Sequence, residues 1–372
     1  MIAAIDGRLA NRTERVGVGR YCAEVLRALP EAAPDLALRV YLDAPPRGDF
    51  PLTPARAEFR VLPPARGWTQ RRLGPALRGD RPDVFYTPTL QMPLGCGCPV
   101  VATVHDVAST RFPEHFTPAQ RLTAWLRLRQ ALLTAAHLVC DSGSARDDLL
   151  GLCRLSPERA SVAFAGCAPE FTAPPAPGEA ATVRERLRLP ERYVLYVGRI
   201  QPRKNLPRLI AAFDALLARR PELPHHLLIA GGDGWLPESS HAAARAAAQA
   251  PRIRFAGHVP DDALPGLMRG ADALALVSLW EGFGLPVLEA MSLGVPVVTS
   301  NYSSLPEVAG NAALLVDPLD TDAIADALET VLTDGARREE CVRLGHAQAA
   351  LFSWTATAES IARALRNAAR RA

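Results

Sequence analysis

Lysine is nearly missing from the sequence: of 42 lysine and arginine residues, one, Lys204, is lysine. No window approaches the ~20 uninterrupted apolar residues that a membrane-spanning helix requires, which excludes a spanning protein. Charge of one sign is not in excess, because the formal net charge is +3, and this excludes a protein that binds chiefly through nucleic-acid phosphates. The start, Met1–Asp6, lacks the basic and long apolar segments of a signal peptide and predicts a strand.

Several cofactor and metal motifs are also missing. Seven cysteines, an odd number in a chain of 372 residues, favour reduced thiols and a cytoplasmic setting over a disulfide framework. Cys96 and Cys98 form a C-x-C pair with no second pair at zinc-ligand spacing. A dinucleotide fingerprint requires glycine at position 22, which is Cys22, and the sequence has no Walker A lysine or His-Glu-x-x-His. We therefore expect neither a metal nor NAD.

What the sequence does contain is a regular alternation of short, apolar, β-rich runs and amphipathic helical stretches. Such alternation predicts parallel sheets covered by helices on both faces. The predicted strands are Ile2–Asp6, Leu38–Leu42, Phe59–Leu62, Val84–Thr87, Val100–Val104 and Leu138–Cys140, followed by Tyr193–Val197, Leu227–Ala230, Ile253–Ala256, Ala273–Val277, Val297–Thr299 and Leu314–Val316. The predicted helices include Gly19–Leu29, Pro118–Thr134, Ala145–Leu150 and 354–372.

Between the two series of strands, four prolines and Gly178 lie within residues 169–181, a composition typical of a linker. We therefore predict an α/β protein of two doubly wound, Rossmann-like domains that face each other across a cleft. The predicted bounds are 1–172 for the first domain, 173–188 for the linker and 189–353 for the second domain.

Unusual residues follow the carboxyl ends of these predicted strands, where open α/β sheets bind their ligands. They are His105 after Val100–Val104, Asp141 after Leu138–Cys140, Gly198, Arg199 and Lys204 after Tyr193–Val197, Gly232 after Leu227–Ala230, and Ser278 and Glu281 after Ala273–Val277. The loops at the opposite ends are ordinary, so the pattern predicts a ligand-binding crevice at the carboxyl ends.

The segment from Glu281 to Glu289 combines glycines, a helix start and two carboxylates. Pro286 suits the first turn of a helix, the preceding glycines let backbone approach a ligand closely, and a helix N-terminus attracts anions. We expect the two carboxylates to lie about 10 Å apart, a spacing that suits hydroxyl groups on either side of a diphosphate. The alternative is a solvated Glu281 and a Glu289 that interacts only with the helix dipole.

Arg199 and Lys204 supply cations at a neighbouring strand end. Fixed cations stabilise the negative charge that develops on a departing nucleoside diphosphate. Arginine contacts a phosphate as a planar fork, whereas lysine reaches between oxygens as a point charge. The alternatives are a salt bridge for Arg199 and an exposed first-turn position for Lys204.

Two features of the first domain are open to two interpretations each. Gly17 and Gly19 precede a helix and form either a loop that approaches a phosphate or acceptor, or a plain turn. His105 either hydrogen-bonds a sugar hydroxyl and assists proton movement, or is a half-buried histidine with internal partners.

Taken together, these residues resemble the retaining glycosyltransferases of the GT-B fold, specifically glycosyltransferase family 4. The resemblance covers nearly the whole chain, including Gly17–Tyr21, Val104–Asp106, Cys140–Ser142, Tyr196–Arg199, Arg203–Asn205, Phe255–Val259 and Leu305–Val308. The stretch from Glu281 to Glu289 is similar to the E-x7-E motif of that family. Cys140-Asp141 departs mildly from the small residue or serine-glutamate that the family usually has there.

The resemblance implies a nucleoside-diphosphate sugar as donor, bound mainly by the second domain. It implies that Arg199 and Lys204 hold the diphosphate, that Glu289 holds the ribose and that Val259 lies at the base pocket. It also implies that His105 approaches the donor sugar. The full expected site comprises His105, Arg199, Lys204 and Glu281 as catalytic residues and Gly17, Gly19, Gly198, Gly232, Val259, Phe283, Gly284, Leu285 and Glu289 as donor-binding residues.

The resemblance further implies a metal-independent enzyme that moves a hexosyl group to a glycan or lipid-linked acceptor and forms an α-linkage. The stretch Asp6–Arg8, with Gly17–Tyr21, is similar to relatives that use GDP-mannose, so mannosyl is favoured over glucosyl. In such proteins the last helix, here 354–372, returns to the first domain. The competing hypotheses are a catalytically silent GT-B module that binds a nucleotide or glycan, which is expected to have lost some of these residues, and a sugar-nucleotide epimerase.

Basic and aromatic residues in the first domain suggest a place for the acceptor. They are Gly67-Trp68, Arg71-Arg72, Arg121, Trp125, Arg127 and Arg129. Such a surface could contact an anionic membrane that carries a lipid-linked sugar. The alternative is a solvated arginine face with one packed tryptophan. We therefore expect a cytoplasmic protein without a nucleic-acid partner, with contact at the inner membrane face as one of these two alternatives.

Overall fold

The computed structural model describes residues 1–15 and 17–371. Val16 and Ala372, the last residue of the predicted final helix, lie outside the described residues. The strands are β1 Ile2–Asp6, β2 Ala37–Leu42, β3 Glu58–Val61, β4 Val84–Thr87, β5 Val100–Val104, β6 His137–Cys140, β7 Ala160–Val162, β8 Tyr193–Val197, β9 His226–Ala230, β10 Ile253–Gly257, β11 Ala273–Leu276, β12 Val297–Ser300 and β13 Leu314–Val316.

Helices connect these strands. They are α1 Val18–Ala32, α2 Gly74–Asp80, α3 Ala108–Arg111, α4 Pro118–Thr134, α5 Gly143–Cys153, α6 Pro169–Thr172, α7 Glu179–Leu187, α8 Leu206–Arg219, α9 Glu238–Ala246, α10 Leu264–Arg269, α11 Leu285–Ser292, α12 Leu305–Ala309, α13 Thr321–Thr333, α14 Gly335–Ala349 and α15 Trp354–Arg370. Within the described chain, we find no helix with the length and apolar character needed to cross a membrane.

Every predicted strand is present. Most are runs of apolar residues that become buried on both faces of a parallel sheet, whereas the edge strand β3 is largely exposed. β5, for example, is buried at all of its positions. The short strand β7 was not predicted, since its three residues are too few to show a periodicity. It pairs with β6 and forms an edge strand of the first sheet.

The strands form two parallel sheets. The first has the order β3-β2-β1-β4-β5-β6-β7 and the second the order β10-β9-β8-β11-β12-β13. In each sheet the chain runs outward in one direction and then in the other, so a crevice opens between β1 and β4 and between β8 and β11. The predicted fold class, two Rossmann-like parallel sheets with covering helices, is confirmed.

The chain divides into two compact units. Unit 1 contains residues 1–113, 117–166 and 352 onward, and unit 2 contains residues 114–116 and 167–351. The division near the middle of the chain therefore falls at residue 166, six residues before the predicted bound. The reason is Phe171, which is buried in unit 2 and whose carbonyl accepts a hydrogen bond from Ser292 Oγ at 3.1 Å.

The segment predicted as a linker, residues 173–188, contains the helix α7. Val183 of this helix is buried, and it lies so close to α10 that a Cβ on Gly266 would be 2.8 Å from Val183 Cγ2. Arg269 of α10 also pairs with Glu179 at 2.7 Å. The prolines interrupt the chain before this helix, but a single buried valine among charged residues gives no helical periodicity in the sequence.

The final helix α15 lies in unit 1, where it packs against α1. Ser353 caps it by accepting from Ala356 N at 3.2 Å, and an apolar stripe that includes Ile361 and Leu365 is buried. The approach to the rest of unit 1 is close, since a Cβ on Gly166 would be 2.3 Å from Trp354 N.

Candidate active site

The carboxyl ends of β8 and β11 bring two of the predicted catalytic residues, Lys204 and Glu281, into direct contact. Lys204 Nζ donates to Glu281 Oε1, and Ser278 Oγ donates to the same oxygen at 2.7 Å. Arg203 Nη1 donates to the other oxygen, Oε2, at 2.9 Å. We call Arg203, Lys204, Ser278 and Glu281 the Glu281 cluster. Both oxygens of its carboxylate are engaged.

The loops that carry the cluster are tied together by backbone groups. The 3₁₀ segment Pro202–Lys204 ends at Asn205, which has a left-handed φ of 59°. The Asn205 side-chain amide donates to Val277 O at 3.0 Å and to Pro318 O at 2.7 Å. Leu279 N donates to Arg203 O at 2.8 Å. The loop after β8 is therefore fixed to the loop after β11.

Two serines fix the backbone of Glu281. Ser303 Oγ accepts from Glu281 N at 3.0 Å, and Ser304 Oγ donates to Glu281 O at 3.0 Å and to Phe283 O at 2.8 Å. Gly284, with φ of 103°, then leads into α11, and a Cβ there would be 2.6 Å from Leu305 Cδ2. Glycine is favoured at this turn because of its positive φ and the close approach of Leu305; that the backbone here also approaches a ligand stays a prediction.

Glu281 is 6% exposed, yet it is a strong acid. Burial alone raises the pKa of a carboxyl group, but the charges of Lys204 and Arg203 outweigh burial and lower the pKa of Glu281 from 4.5 to about 2. The carboxylate is ionised at neutral pH. With two cations and one carboxylate, the Glu281 cluster keeps a net positive charge that favours an anionic ligand.

The alternatives that the sequence left open for two of these residues are wrong. Glu281 does not lie on a solvated loop, and Lys204, which is 9% exposed, is not an exposed first-turn residue. Arg199 lies in the exposed loop after β8, where it makes no salt bridge within the described residues. Arg203 and Ser278 follow the same two strands in the sequence, but neither was assigned to the predicted site.

Glycines hold the ends of β8 and β9 together. Gly198 and Gly231 have φ of 149° and 143°, and a Cβ on Gly231 would be 2.1 Å from Gly198 O. Gly232 accepts a hydrogen bond from Ile200 N at 3.1 Å. The predicted Gly198 and Gly232 therefore lie in neighbouring loops next to Arg199.

The other predicted donor-binding residues of unit 2 lie on the same edge of the sheet. Val259 is buried just after β10, and Phe283 is buried before α11. Leu285 is the first residue of α11, and Glu289 is buried one turn further along this helix. The helix therefore presents its N-terminus beside the Glu281 cluster, as the sequence pattern predicted.

In unit 1, His105 has internal partners at both ring nitrogens. Nδ1 lies 2.8 Å from Asp141 Oδ2, and Nε2 lies 2.9 Å from Pro88 O. Burial opposes protonation, but the Asp141 charge outweighs it and raises the pKa of His105 above its ordinary value. Transfer of a proton by this ring therefore requires one of the two hydrogen bonds to break. The sequence marks Asp141 as a polar residue directly after β6 but gives it no role. Because β5 and β6 are neighbours, it meets His105, which follows β5.

The glycines near the start of the chain do not form one loop. Gly17 has φ of 49° and precedes α1, which begins at Val18. Gly19 lies inside the first turn of the helix, where a Cβ would be 3.3 Å from Leu9 O. The predicted loop therefore ends at Gly17, and Gly19 serves close packing against Leu9.

No group of three or more histidine, cysteine, aspartate or glutamate side chains in residues 1–15 and 17–371 is arranged to hold a metal ion. Independence of metal stays a prediction.

Comparison with known proteins agrees with this architecture. The family model described as glycosyl transferases group 1 matches residues 180–348, and the model described as glycosyltransferase family 4 matches residues 16–171. Sucrose-phosphate synthase of Thermosynechococcus elongatus superposes with a TM-score of 0.76 at 21% identity over 98% of both chains. The HepE protein of Anabaena, solved with UDP-glucose, superposes with a TM-score of 0.75 at 20% identity over 98% of this chain and 99% of its own. The fold is that of the GT-B glycosyltransferases.

A curated relative places the chain more narrowly. O-antigen chain mannosyltransferase B of Escherichia coli is 34% identical over 298 residues, which are 80% of this chain and 76% of that protein. The chain belongs to glycosyltransferase family 4, as its sequence motifs indicated.

Proposed function

We propose that this protein transfers a hexosyl group from a nucleoside-diphosphate sugar to a glycan or lipid-linked acceptor, with retention of configuration and formation of an α-glycosidic bond. The observation that carries the proposal is the Glu281 cluster, a buried group with net positive charge at the carboxyl edge of the unit 2 sheet. Mannosyl from GDP-mannose is favoured because the Escherichia coli relative is a mannosyltransferase. Glucosyl from UDP-glucose comes next, since the Anabaena protein binds that donor.

The cations act on the leaving group. When the bond between C1 of the sugar and the diphosphate oxygen breaks, negative charge develops on that oxygen, and Lys204 and Arg199 stabilise it. Glu289 holds the ribose, and Val259 lies at the base. Backbone groups at Phe283, Gly284 and Leu285 hold the donor sugar.

Glu281 binds the donor sugar without attacking it. A carboxylate has about four acceptor positions; Oε1 accepts from Lys204 and Ser278, whereas Oε2 accepts only from Arg203 within the described residues. Oε2 therefore keeps capacity for one sugar hydroxyl. Nucleophilic attack on C1 would require the carboxylate to leave the cations that fix it.

Retention then follows from attack on the face that the diphosphate leaves. The acceptor oxygen forms its bond to C1 as the diphosphate bond breaks, and the acceptor proton passes to the departing phosphate oxygen. The products are the glycoside and the nucleoside diphosphate. This route needs no protein base, in agreement with a His105 whose ring nitrogens are both occupied. It also needs no metal, because cationic side chains balance the leaving charge, and we expect activity to persist in EDTA.

The test is release of nucleoside diphosphate from UDP-, GDP- and ADP-sugars, with and without acceptors. We expect GDP-mannose to be the best donor, and Lys204→Ala to lower turnover by roughly 10²-fold or more. Arg219→Ala, which removes an exposed ion pair on α8, is the matched control and should leave turnover unchanged. If no donor releases nucleoside diphosphate, the result favours a catalytically silent module. If the protein isomerises a sugar nucleotide in the absence of an acceptor, the result favours an epimerase.

We also propose peripheral contact with an anionic membrane through α4. Leu122, Trp125 and Leu126 are half or more exposed on this helix, and Arg129 lies over the Trp125 ring at 5.2 Å. Of the two tryptophans expected on this surface, Trp125 is exposed and Trp68 is buried, so the alternative of an arginine face with one packed tryptophan also agrees with the structure. Cosedimentation with vesicles containing phosphatidylglycerol, lost in Trp125→Ala and absent with phosphatidylcholine alone, would support the contact; no cosedimentation would exclude it.

A further inference from the structure

A cavity of about 400 Å³ lies in unit 1 and is not used by the donor chemistry above. Its walls come from the loops after β1, β2, β3 and β4 and from α4. The residues that matter below are Arg8, Asp43, Trp68, Thr69, Gln91 and Arg127. The loops after β1 and β4 leave neighbouring strands in opposite directions, and this is the place where doubly wound sheets bind ligands. The volume is within the range of small-ligand pockets, about 300–1,000 Å³.

Arg8 forms a rigid part of the wall. Its Nε and Nη2 donate to the two Asp6 oxygens at 2.9 and 2.7 Å, and its guanidinium lies over the Trp68 ring at 4.1 Å. Nη2 also lies 3.2 Å from Thr69 Oγ1. Nη1 has no hydrogen-bond partner within the described residues. The Arg8 side chain is therefore fixed, and its Nη1 group keeps the capacity to donate a hydrogen bond to a ligand.

Asp43 brings a negative charge to the same cavity. Its Oδ2 accepts from Arg12 Nη2 at 2.6 Å, whereas its Oδ1 is buried and has no partner in the part of the chain that the structure describes. The carboxylate thus keeps capacity to accept a hydrogen bond. A carboxylate in the wall attracts hydroxyl donors and repels a phosphate.

A second part of the cavity wall is polar and is also held in place by hydrogen bonds. With its amide oxygen turned toward Arg127, Gln91 accepts from both Nη atoms at 3.3 Å. The amides of Gln70 and Gln130 both donate to Met92 O, at 3.0 and 2.9 Å, and so hold the loop after β4 in place. The cavity is therefore a preformed pocket.

The charges around the pocket decide which ligand it fits. Arg8 is paired with Asp6, and Asp43 is paired with Arg12, so Arg127 is the one lining cation without a carboxylate partner among residues 1–15 and 17–371. A phosphate monoester carries a charge of about −1.5 to −2 at pH 7 and is bound by several cations. A cavity lined by one unpaired cation and a carboxylate instead suits sugar hydroxyls, which both donate and accept hydrogen bonds.

We propose that this cavity binds an uncharged sugar residue of the acceptor glycan, with Asp43 accepting from its hydroxyls and Arg8 and Arg127 donating to them. The proposal deepens the proposed function and rests on it, since an acceptor exists only for a transferase. It selects a neutral saccharide over a phosphorylated acceptor.

The test measures binding to the full chain without donor, by saturation-transfer difference NMR and titration. The probes are α-mannobiose and maltose as neutral disaccharides, and inositol 3-phosphate as a phosphorylated polyol. We expect a neutral disaccharide to bind, and Arg127→Met and Asp43→Asn each to weaken it roughly five- to tenfold. Arg245→Met, at an exposed position of α9 in unit 2, is the control and should change nothing.

Three outcomes would overturn the proposal: neither disaccharide binds, both cavity variants bind them as well as the unaltered chain, or inositol 3-phosphate binds more tightly than both. Arg127 is exposed, so its variant keeps the test valid if Asp43→Asn fails to fold. Donor turnover is measured in parallel. Variant-sensitive disaccharide binding without turnover of any donor contradicts the proposed function alone, whereas normal turnover with variant-insensitive binding contradicts the cavity proposal alone.

Discussion

Each of the two sheets carries a buried cation–carboxylate pair at its carboxyl edge, and the two pairs behave differently. In unit 2, Glu281 meets two cations and a hydroxyl, which hold its pKa near 2. In unit 1, Asp141 meets the single ring of His105 and raises the pKa of that ring above its ordinary value. Two fixed cations therefore lower the pKa of a buried carboxyl group, whereas a single carboxylate raises the pKa of a partly exposed histidine ring.

The comparison is tested most strongly by Glu281→Gln, which leaves two buried cations without their anion. Removing one partner of a buried ion pair is strongly destabilising. We expect the free energy of unfolding at pH 7 to fall by about 3 kcal/mol in urea titrations. Glu222→Gln, which removes an exposed partner of Arg220, is the control and should leave the midpoint unchanged.

The same variant has a defined pH dependence. Because the pKa of folded Glu281 is lowered from 4.5 to about 2, its ionised form stabilises the native state above pH 4.5. This contribution is lost as pH falls from 4.5 through 2, so the difference between the unaltered chain and Glu281→Gln should shrink at pH 3. A difference that stays constant from pH 7 to pH 3 would show that Glu281 is not held ionised by its neighbours.

Lys204→Arg sharpens the comparison, since it keeps the charge of the Glu281 cluster and changes its shape. The Lys204 ammonium shares Oε1 of Glu281 with Ser278, and a larger, planar guanidinium cannot take its place there without displacing a neighbour. We expect turnover of the donor to fall roughly tenfold or more, though less than in Lys204→Ala. Arg219→Lys on α8 provides the matched exchange at an exposed ion pair. Unchanged kcat and KM in Lys204→Arg would mean that charge alone is required.

Asp141→Asn tests the titrating pair of unit 1 and has the smallest expected effect. Without the Asp141 charge, burial dominates, and the pKa of His105 should fall below its ordinary value. In the unaltered chain, protonated His105 stabilises the native state below pH 6.5, and this contribution disappears as pH rises through its raised pKa. NMR titration of the His105 ring proton measures the shift. Asp147→Asn, an exposed neighbour, should not move it.

Much of the fold and the individual site residues could be predicted, because both depend on local sequence. Apolar runs buried on two faces mark the strands, and residues directly after them mark the carboxyl edge. Lys204, Gly284 and Glu281 were found in this way. The contact between Lys204 and Glu281 could not be predicted from the residues, because 77 positions separate them and only the adjacency of β8 and β11 joins them.

The features that were missed depend on packing between distant segments. Arg203 stands next to Lys204 in the sequence, but its role depends on the contact between its Nη1 and Glu281, 78 positions away. The cavity in unit 1 is built by loops after four strands, and loops have no periodicity. Trp68 is an example of what local sequence does not show. Its position beside glycine and arginines indicated a surface residue, but Arg8 and the loop after β3 bury it.

The position of α15 in unit 1 has a consequence for the order of folding during synthesis. The apolar face of α1 is translated first, but its partner helix begins at Trp354 and is separated from the rest of unit 1 by residues 167–351. At about 5–20 residues per second, the ribosome needs roughly 10 to 40 s to translate that interval. Unit 2 therefore has all of its strands before unit 1 has its last helix, and the unit that is started first is finished last. Until residue 370 emerges, the apolar face of α1 that packs against α15 stays uncovered, and a chaperone would bind the nascent chain there.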